Sequence, residues 1–255
     1  MKIVIGIPAR LDSSRFPGKP LCAIQNKPMI EHCYKRSQLS KLATELFVAT
    51  CDHQIRETVE SFDGNVLMTE ENIERPGLRV AVAAEQLSLQ DEDIVVVVQG
   101  DEPLVHPAMI DLAIQPLLME KDIFVSNLCS NATTENLNDP SEIKVVCDLE
   151  MNALYMSRSP IPSVIHEEVS TAWWRQVCIM PFRWGFMKKF NHDLSPTPLE
   201  RQESIEMLRA IQHGYKVRMV PSPFVSKSVD TEDDRREVEL LMKSDSIFPL
   251  YGNVS

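Results

Sequence analysis

Two stretches of the chain concentrate groups able to handle phosphate and metal. Residues 6–21, GIPARLDSSRFPGKPL, bring Arg10, Arg15 and Lys19 together with Ser13 and Ser14 within ten positions. Arginine presents planar paired donors to phosphate oxygens, lysine adds a mobile point charge, and the amides of a loop can complete an anion nest. That inventory fits a polyphosphate, although the segment read alone is also compatible with a solvated basic loop. No Walker A pattern is present, since Pro20 follows Lys19, and no GxGxxG occurs. The second stretch, residues 94–107, reads IVVVVQGDEPLVHP and delivers Asp101 at the end of a run that only a buried strand explains. A hard cation such as magnesium uses one or two carboxylates together with substrate phosphates. Asp230, in SVDTEDDRR, is the candidate for the second carboxylate, and its spacing fits a plain helix N-cap equally well.

Composition narrows the classes. The 255 residues carry 26 Lys+Arg against 37 Asp+Glu, a net charge of −11, with 44% hydrophobic residues. This is globular composition, and the acidity argues against a nucleic-acid partner, which needs a cationic face. No apolar run approaches the length of a membrane helix, and MKIVIGIPAR reads as a first strand without a cleavage site, so no membrane association and a cytoplasmic location are expected. The six cysteines lack CxxC spacing and the six histidines lack HxH or HExxH, which argues against a zinc site and a disulfide framework.

Short β-branched runs alternate with longer amphipathic stretches, the pattern of an α/β fold with a mostly parallel sheet. Strands are predicted at 2–7, 46–50, 65–69, 93–99, 123–128, 143–147, 175–181 and 216–221. Helices are predicted at 28–42, 53–62, 78–89, 107–121, 184–190, 199–213 and 231–243. The two chemical stretches fall just beyond strands, where open α/β sheets bind ligands. Residues 131–172 read as loops leaving the sheet within one domain spanning 1–255.

PARLDSSRFPGKPL and VQGDEPL, followed in order by EIKVVCD, ALYMSRSPIP, PLERQESIEMLRAI and VDTEDD, resemble the 3-deoxy-manno-octulosonate cytidylyltransferases over almost the whole chain. The resemblance implies a three-layer α/β/α nucleotidyltransferase fold and a reaction of CTP with an ulosonic acid that gives a CMP-sugar and pyrophosphate, a step of lipopolysaccharide biosynthesis. It further implies magnesium and a homodimer, to which the 131–172 excursion would contribute. By the same resemblance Pro8, Ala9, Arg10, Ser13, Arg15, Lys19 and Arg79 bind the nucleotide. Asp101 and Asp230 hold magnesium and, with Lys19, serve catalysis, while Gln99, Gln176, Glu203 and Glu206 fall to the sugar.

Departures concentrate on the sugar side. Where the family has a His-Ser-Gly-Thr-Asp-Arg-like stretch, residues 73–79 read IERPGLR and keep only Arg79. A Lys-His-(Ile/Val)-Gly-Ile-Tyr pattern becomes residues 175–180, RQVCIM, so His and Tyr are replaced by Gln176 and Met180. Leu-Glu-Gln-Leu-Arg becomes residues 205–209, IEMLR, with Met207 in place of Gln, and Cys51 stands where Asp is common. A site built to bond a substrate hydroxyl discriminates strongly through such groups. The sequence thus points to a cytidylyltransferase for a modified or different ulosonic acid, with a catalytically weakened nucleotide-binding protein as the alternative.

Overall fold

The computed structural model describes residues 1–13, 15–163 and 173–252. In chain order it forms β1 (Ile3–Pro8), a 3-10 turn (Lys19–Leu21), β2 (Ala23–Ile24), β3 (Lys27–Pro28), α1 (Met29–Gln38), β4 (Glu45–Thr50), α2 (His53–Ser61), β5 (Val66–Met68), α3 (Pro76–Ala84), β6 (Ile94–Val98) and α4 (Pro107–Met119). The second half continues with β7 (Ser126–Asn131), α5 (Thr134–Asn138), β8 (Lys144–Cys147), β9 (Ala153–Ser157), β10 (Trp174–Val177), β11 (Ile179–Arg183), α6 (Trp184–His192), α7 (Pro198–Glu203), α8 (Met207–Gln212), β12 (Arg218–Pro221) and α9 (Glu232–Met242). No helix among the described residues is long and apolar enough to cross a membrane.

The first sheet has the order β11-β6-β1-β4-β5, parallel except for β11. Its central strands are apolar on both faces because both are covered. Ile5, Ile7, Val96 and Val98 pack with Ile30 of α1 and Met109 and Ile114 of α4, while Val4, Val95 and Val97 pack with Val80 of α3 and Phe186 of α6. This is the α/β layering expected from the sequence. The second sheet, β12-β7-β10-β8-β9, is antiparallel apart from the β12–β7 pair, and its Val145, Met156 and Met219 join the same core as Val95 and Val97.

Three predicted elements come out differently. The strand expected at 175–181 is two strands: β10 pairs in the second sheet, β11 in the first, and Cys178 is the joint between them. Within residues 131–172 the strand expected at 143–147 is present as β8, but it forms a hairpin with a further strand, β9, where loop was expected; residues 164–172 lie outside the described residues. The helix expected at 199–213 is broken, because Ser204 takes a left-handed conformation (φ 55°) between α7 and α8. Glu200, 1% exposed, bonds Arg209 at 2.8 Å. In an unbroken helix nine residues would separate the two by about 13 Å of axial rise, so the buried pair requires the break.

A buried network fixes the end of the chain that follows α9. The ring of His32, fully buried, donates from Nε2 to the Ile24 carbonyl (2.7 Å), and Nδ1 faces the Tyr251 hydroxyl at 2.9 Å. Arg36 donates from Nε to the same hydroxyl (3.0 Å) and pairs with Asp245. Burial holds the His32 pKa down, from 6.5 to about 4.

A second knot lies under the loops between the sheets. Lys144 is fully buried, and its ammonium donates to three backbone carbonyls: Asp139 (2.8 Å), Glu142 (2.8 Å) and Arg158 (2.5 Å). Arg158 in turn donates to the carbonyls of Pro140 (2.9 Å) and Glu203 (2.8 Å), so one pair of cations ties the 139–143 loop to the ends of β9 and α7.

Two outcomes are expected. The unfolded-state His32 protonates near 6.5 and the folded one near 4, so its contribution to stability is complete above 6.5 and is lost as the pH falls toward 4. The gap in unfolding free energy between wild type and His32→Gln should therefore narrow by roughly 3 kcal/mol across that window in urea titrations; a constant gap would contradict a buried neutral imidazole. Lys144→Met removes the shared donor of three part-buried hydrogen bonds, and urea unfolding should show a loss of about 3 kcal/mol.

Candidate active site

The basic loop is held at both ends before it meets any ligand. Beyond β1, the Ala9 amide donates to the Ala49 carbonyl (3.0 Å) and the Leu11 amide to the Asp52 carboxylate (2.9 Å). The Gly18 amide closes the loop on the Leu11 carbonyl at 2.9 Å, and its φ of 71° is a conformation that glycine adopts without strain. From the neighbouring strand, β6, the chain turns at Gly100, where an added Cβ would stand 2.6 Å from the Pro8 carbonyl oxygen. A glycine there lets the two strand ends approach, so that Gln99 and Asp101 face the loop.

Lys19 is the centre of the site. Its ammonium donates to the carboxylates of Asp101 (2.7 Å) and Asp230 (3.0 Å) and to the Val229 carbonyl (3.1 Å). Burial works against its charge, but the two carboxylates outweigh that effect and hold its pKa above the ordinary value. Arg15 adds a second ion pair to Asp230 at 3.0 Å. The Val229 amide donates to the Asp101 carbonyl (2.9 Å), which fixes the distance between the segments bearing the two acids. The cap of α9 is Thr231, whose side chain accepts from the Asp234 amide. Asp230 precedes it, and its carboxylate faces Lys19 and Arg15 instead of serving as the helix cap.

A cavity of about 350 Å³ lies between these elements, lined by Pro8, Ala9, Arg10, Ser13, Arg15, Lys19, Arg79, Gln99, Asp101 and Asp230. The residues assigned to the nucleotide and the metal are thus brought together; Ser14 of the same loop lies outside the described residues. Arg79 lines the wall but turns its guanidinium to Thr69 (2.6 Å), the Glu70 carbonyl (3.2 Å) and the Ile73 carbonyl, holding the 69–73 segment in place.

A second cavity of about 620 Å³ adjoins the first, with Arg10, Glu74, Pro76 and Gln99 common to both walls. Gln176 and Glu206, which the resemblance assigns to the sugar, line it. Gln176 commits its amide nitrogen to Asn127. Glu203 is directed elsewhere: its carboxylate accepts from Ser157 (2.8 Å), Tyr155 (3.1 Å) and the Arg158 amide (2.9 Å), inside the knot beneath the cavity. Its place is structural support, because those three donors occupy the carboxylate.

Several site residues escaped the sequence reading. Arg158 lines the second cavity, and Arg175 pairs with Glu142 at 3.1 Å beside it. Glu102 is buried next to Asp101 and bonded by Ser226; burial pushes its carboxyl up to about 7. The available signal was a charged residue within a strand-like apolar run, as with Lys144 in KVVC.

Similarity to known proteins shows the family. The cytidylyltransferase family profile matches residues 3–219. A 3-deoxy-manno-octulosonate cytidylyltransferase of Geobacter metallireducens is 40% identical, over 93% of this chain and 96% of its own. An 8-amino-3,8-dideoxy-manno-octulosonate cytidylyltransferase of Shewanella loihica is 39% identical, over 96% of this chain and 100% of its own. A solved structure of CMP:2-keto-3-deoxy-manno-octonic acid synthetase complexed with CTP superimposes with a TM-score of 0.89 at 33% identity, covering 95% of this chain and 99% of that one. The shared ion pair of Lys19 with Asp101 and Asp230, at the mouth of a layered α/β sheet, is therefore set in a chain that belongs to the cytidylyltransferase family.

Proposed function

We propose that the protein activates an ulosonic acid with CTP, joining the anomeric oxygen of the acid to the α-phosphorus and releasing pyrophosphate. The observation that carries this reading is the single ammonium of Lys19 shared by Asp101 and Asp230 in the first cavity, with Arg10 and Gln99 on the wall it shares with the second. The first cavity has the cations a triphosphate requires. The second has room for an eight-carbon acid, and an acceptor bound there would meet the phosphates across the common wall.

Asp101 and Asp230 are the residues that would hold magnesium. They already share one cation, so their oxygens point to a common place. Among the described residues no third acid, histidine or cysteine joins them, which suits an ion that fills its remaining positions with phosphate oxygens and water. Magnesium when bound would neutralise charge on the triphosphate. Arg10, Arg15 and Lys19 would hold phosphate oxygens in line, and Gln99 would orient the acceptor; catalysis then rests on positioning and electrostatics. A cytoplasmic setting fits six free thiols and dependence on CTP. A homodimer fits the exposed Leu149 and Leu154 on the β8–β9 hairpin.

Pyrophosphate release from CTP, assayed with magnesium and either 3-deoxy-manno-octulosonate or its 8-amino counterpart, tests the reading. Turnover supports it; thermal protection by CTP without turnover with either acid would favour a regulatory nucleotide binder. Asp101→Asn and Asp230→Asn should each lower kcat/KM by about 100-fold or more while the protein still melts cooperatively. Wild-type rates in either variant would remove the metal assignment. Chelation should abolish release, and excess magnesium should restore it.

A further inference from the structure

Asp230 sits in a part of the chain with no ladder or helix to hold it. Between β12, which ends at Pro221, and α9, which begins at Glu232, residues 222–231 form no regular element. Such a connection takes its position from the bonds its backbone and side chains make with neighbouring elements. At its start the Ser222 amide donates to the Cys129 carbonyl (2.8 Å), and near its end the Val229 amide donates to the Asp101 carbonyl (2.9 Å). Ser226 is tied twice between them. Its hydroxyl donates to Oε2 of Glu102, and its carbonyl accepts from the Arg175 guanidinium at 3.2 Å.

The partner of that hydroxyl is the residue that follows Asp101. Glu102 and Ser226 are both buried, and Arg175 is itself braced by Glu142 at 3.1 Å. A hydrogen bond shielded from water is electrostatically stronger than the same bond in solvent. One turn after β6 therefore carries the first acid and the anchor for the second. The ammonium of Lys19 also spans the two acids, but in the reading above it serves phosphate oxygens once CTP is bound, and the pair must then keep its spacing without it. Magnesium requires near-ideal octahedral geometry at about 2.0–2.1 Å from its oxygens, so a small displacement of one carboxylate weakens its binding sharply.

We infer that Glu102 and Ser226 are positioning residues for the metal: their bond sets Asp230 at the distance from Asp101 at which both carboxylates reach one divalent cation, without either residue being a ligand. The inference rests on the metal assignment proposed above and adds the pair that maintains it. The role is geometric, so it needs an acceptor oxygen at position 102 and not a charge there.

Manganese serves as the probe, its binding read from the loss of the free-ion paramagnetic resonance signal in protein supplied with CTP and no acceptor acid. Ser226→Ala should raise the manganese dissociation constant about 10-fold or more, as removal of groups that orient metal ligands does elsewhere. The magnesium concentration for half-maximal pyrophosphate release should rise by the same factor, while kcat at saturating metal and the KM for the acceptor stay within about 3-fold of wild type. Glu102→Gln, which keeps an acceptor oxygen for Ser226, should bind manganese within about 3-fold of wild type. Manganese binding by Ser226→Ala equal to that of wild type, even with a lowered melting temperature, shows a bond that serves stability alone and overturns the inference. A loss in Glu102→Gln as large as in Ser226→Ala overturns it too, because the effect then belongs to charge. Asp101→Asn and Asp230→Asn that bind manganese as wild type does would instead remove the metal assignment on which the inference rests.

Discussion

The site depends on one ammonium group held between two acids. Lys19 comes from the loop after the first strand, Asp101 from the turn after the sixth and Asp230 from the threshold of the last helix, so one cation joins segments more than two hundred residues apart in the chain. The contact is partly shielded from water, where opposite charges interact far more strongly than at an open surface. It also holds the two carboxylates toward one place. The close approach at Gly100 and the amide link from Val229 to Asp101 are the backbone conditions for that contact.

The acceptor side is organised by a different economy of charge. There the ions are nearly all matched within the protein: Glu200 with Arg75 and Arg209, Glu142 with Arg175, Glu203 with the hydroxyls of Tyr155 and Ser157, and Lys144 with three carbonyls. Pairing of this kind gives buried charges a fixed geometry more than net stability. One oxygen of Glu206, beside two methionines, stays without a partner among the described residues.

The nucleotide half was legible in the sequence because its chemistry is contiguous. Arg10, Ser13, Arg15 and Lys19 fall in one loop, and the valine run before Asp101 announces a strand that ends at the same edge. The acceptor half was legible only in part, because its residues are defined by contacts across the chain. The apolar spacing of 199–213 conceals the left-handed turn at Ser204, since periodicity reports which side is buried and not where the backbone reverses. Glu203 and Glu206 look equivalent in the sequence, three positions apart, yet the turn sends one into a knot of hydroxyls and the other into the cavity. The strand β8 was legible at 143–147, but its hairpin partner β9 was not; the charge of Lys144 within β8 is explained only by its three carbonyl partners.

Cys178 sits where one strand run passes from the second sheet to the first. The loop bearing Arg10, Arg15 and Lys19 is rooted in the first sheet, whereas Gln176 and the Arg158 knot are rooted in the second. Substitutions that rework the second sheet's surface can thus accumulate while strand register around Pro8 and Asp101 is preserved. A lineage carrying this architecture can explore new sugar acids by altering one wall, and the donor chemistry is inherited intact.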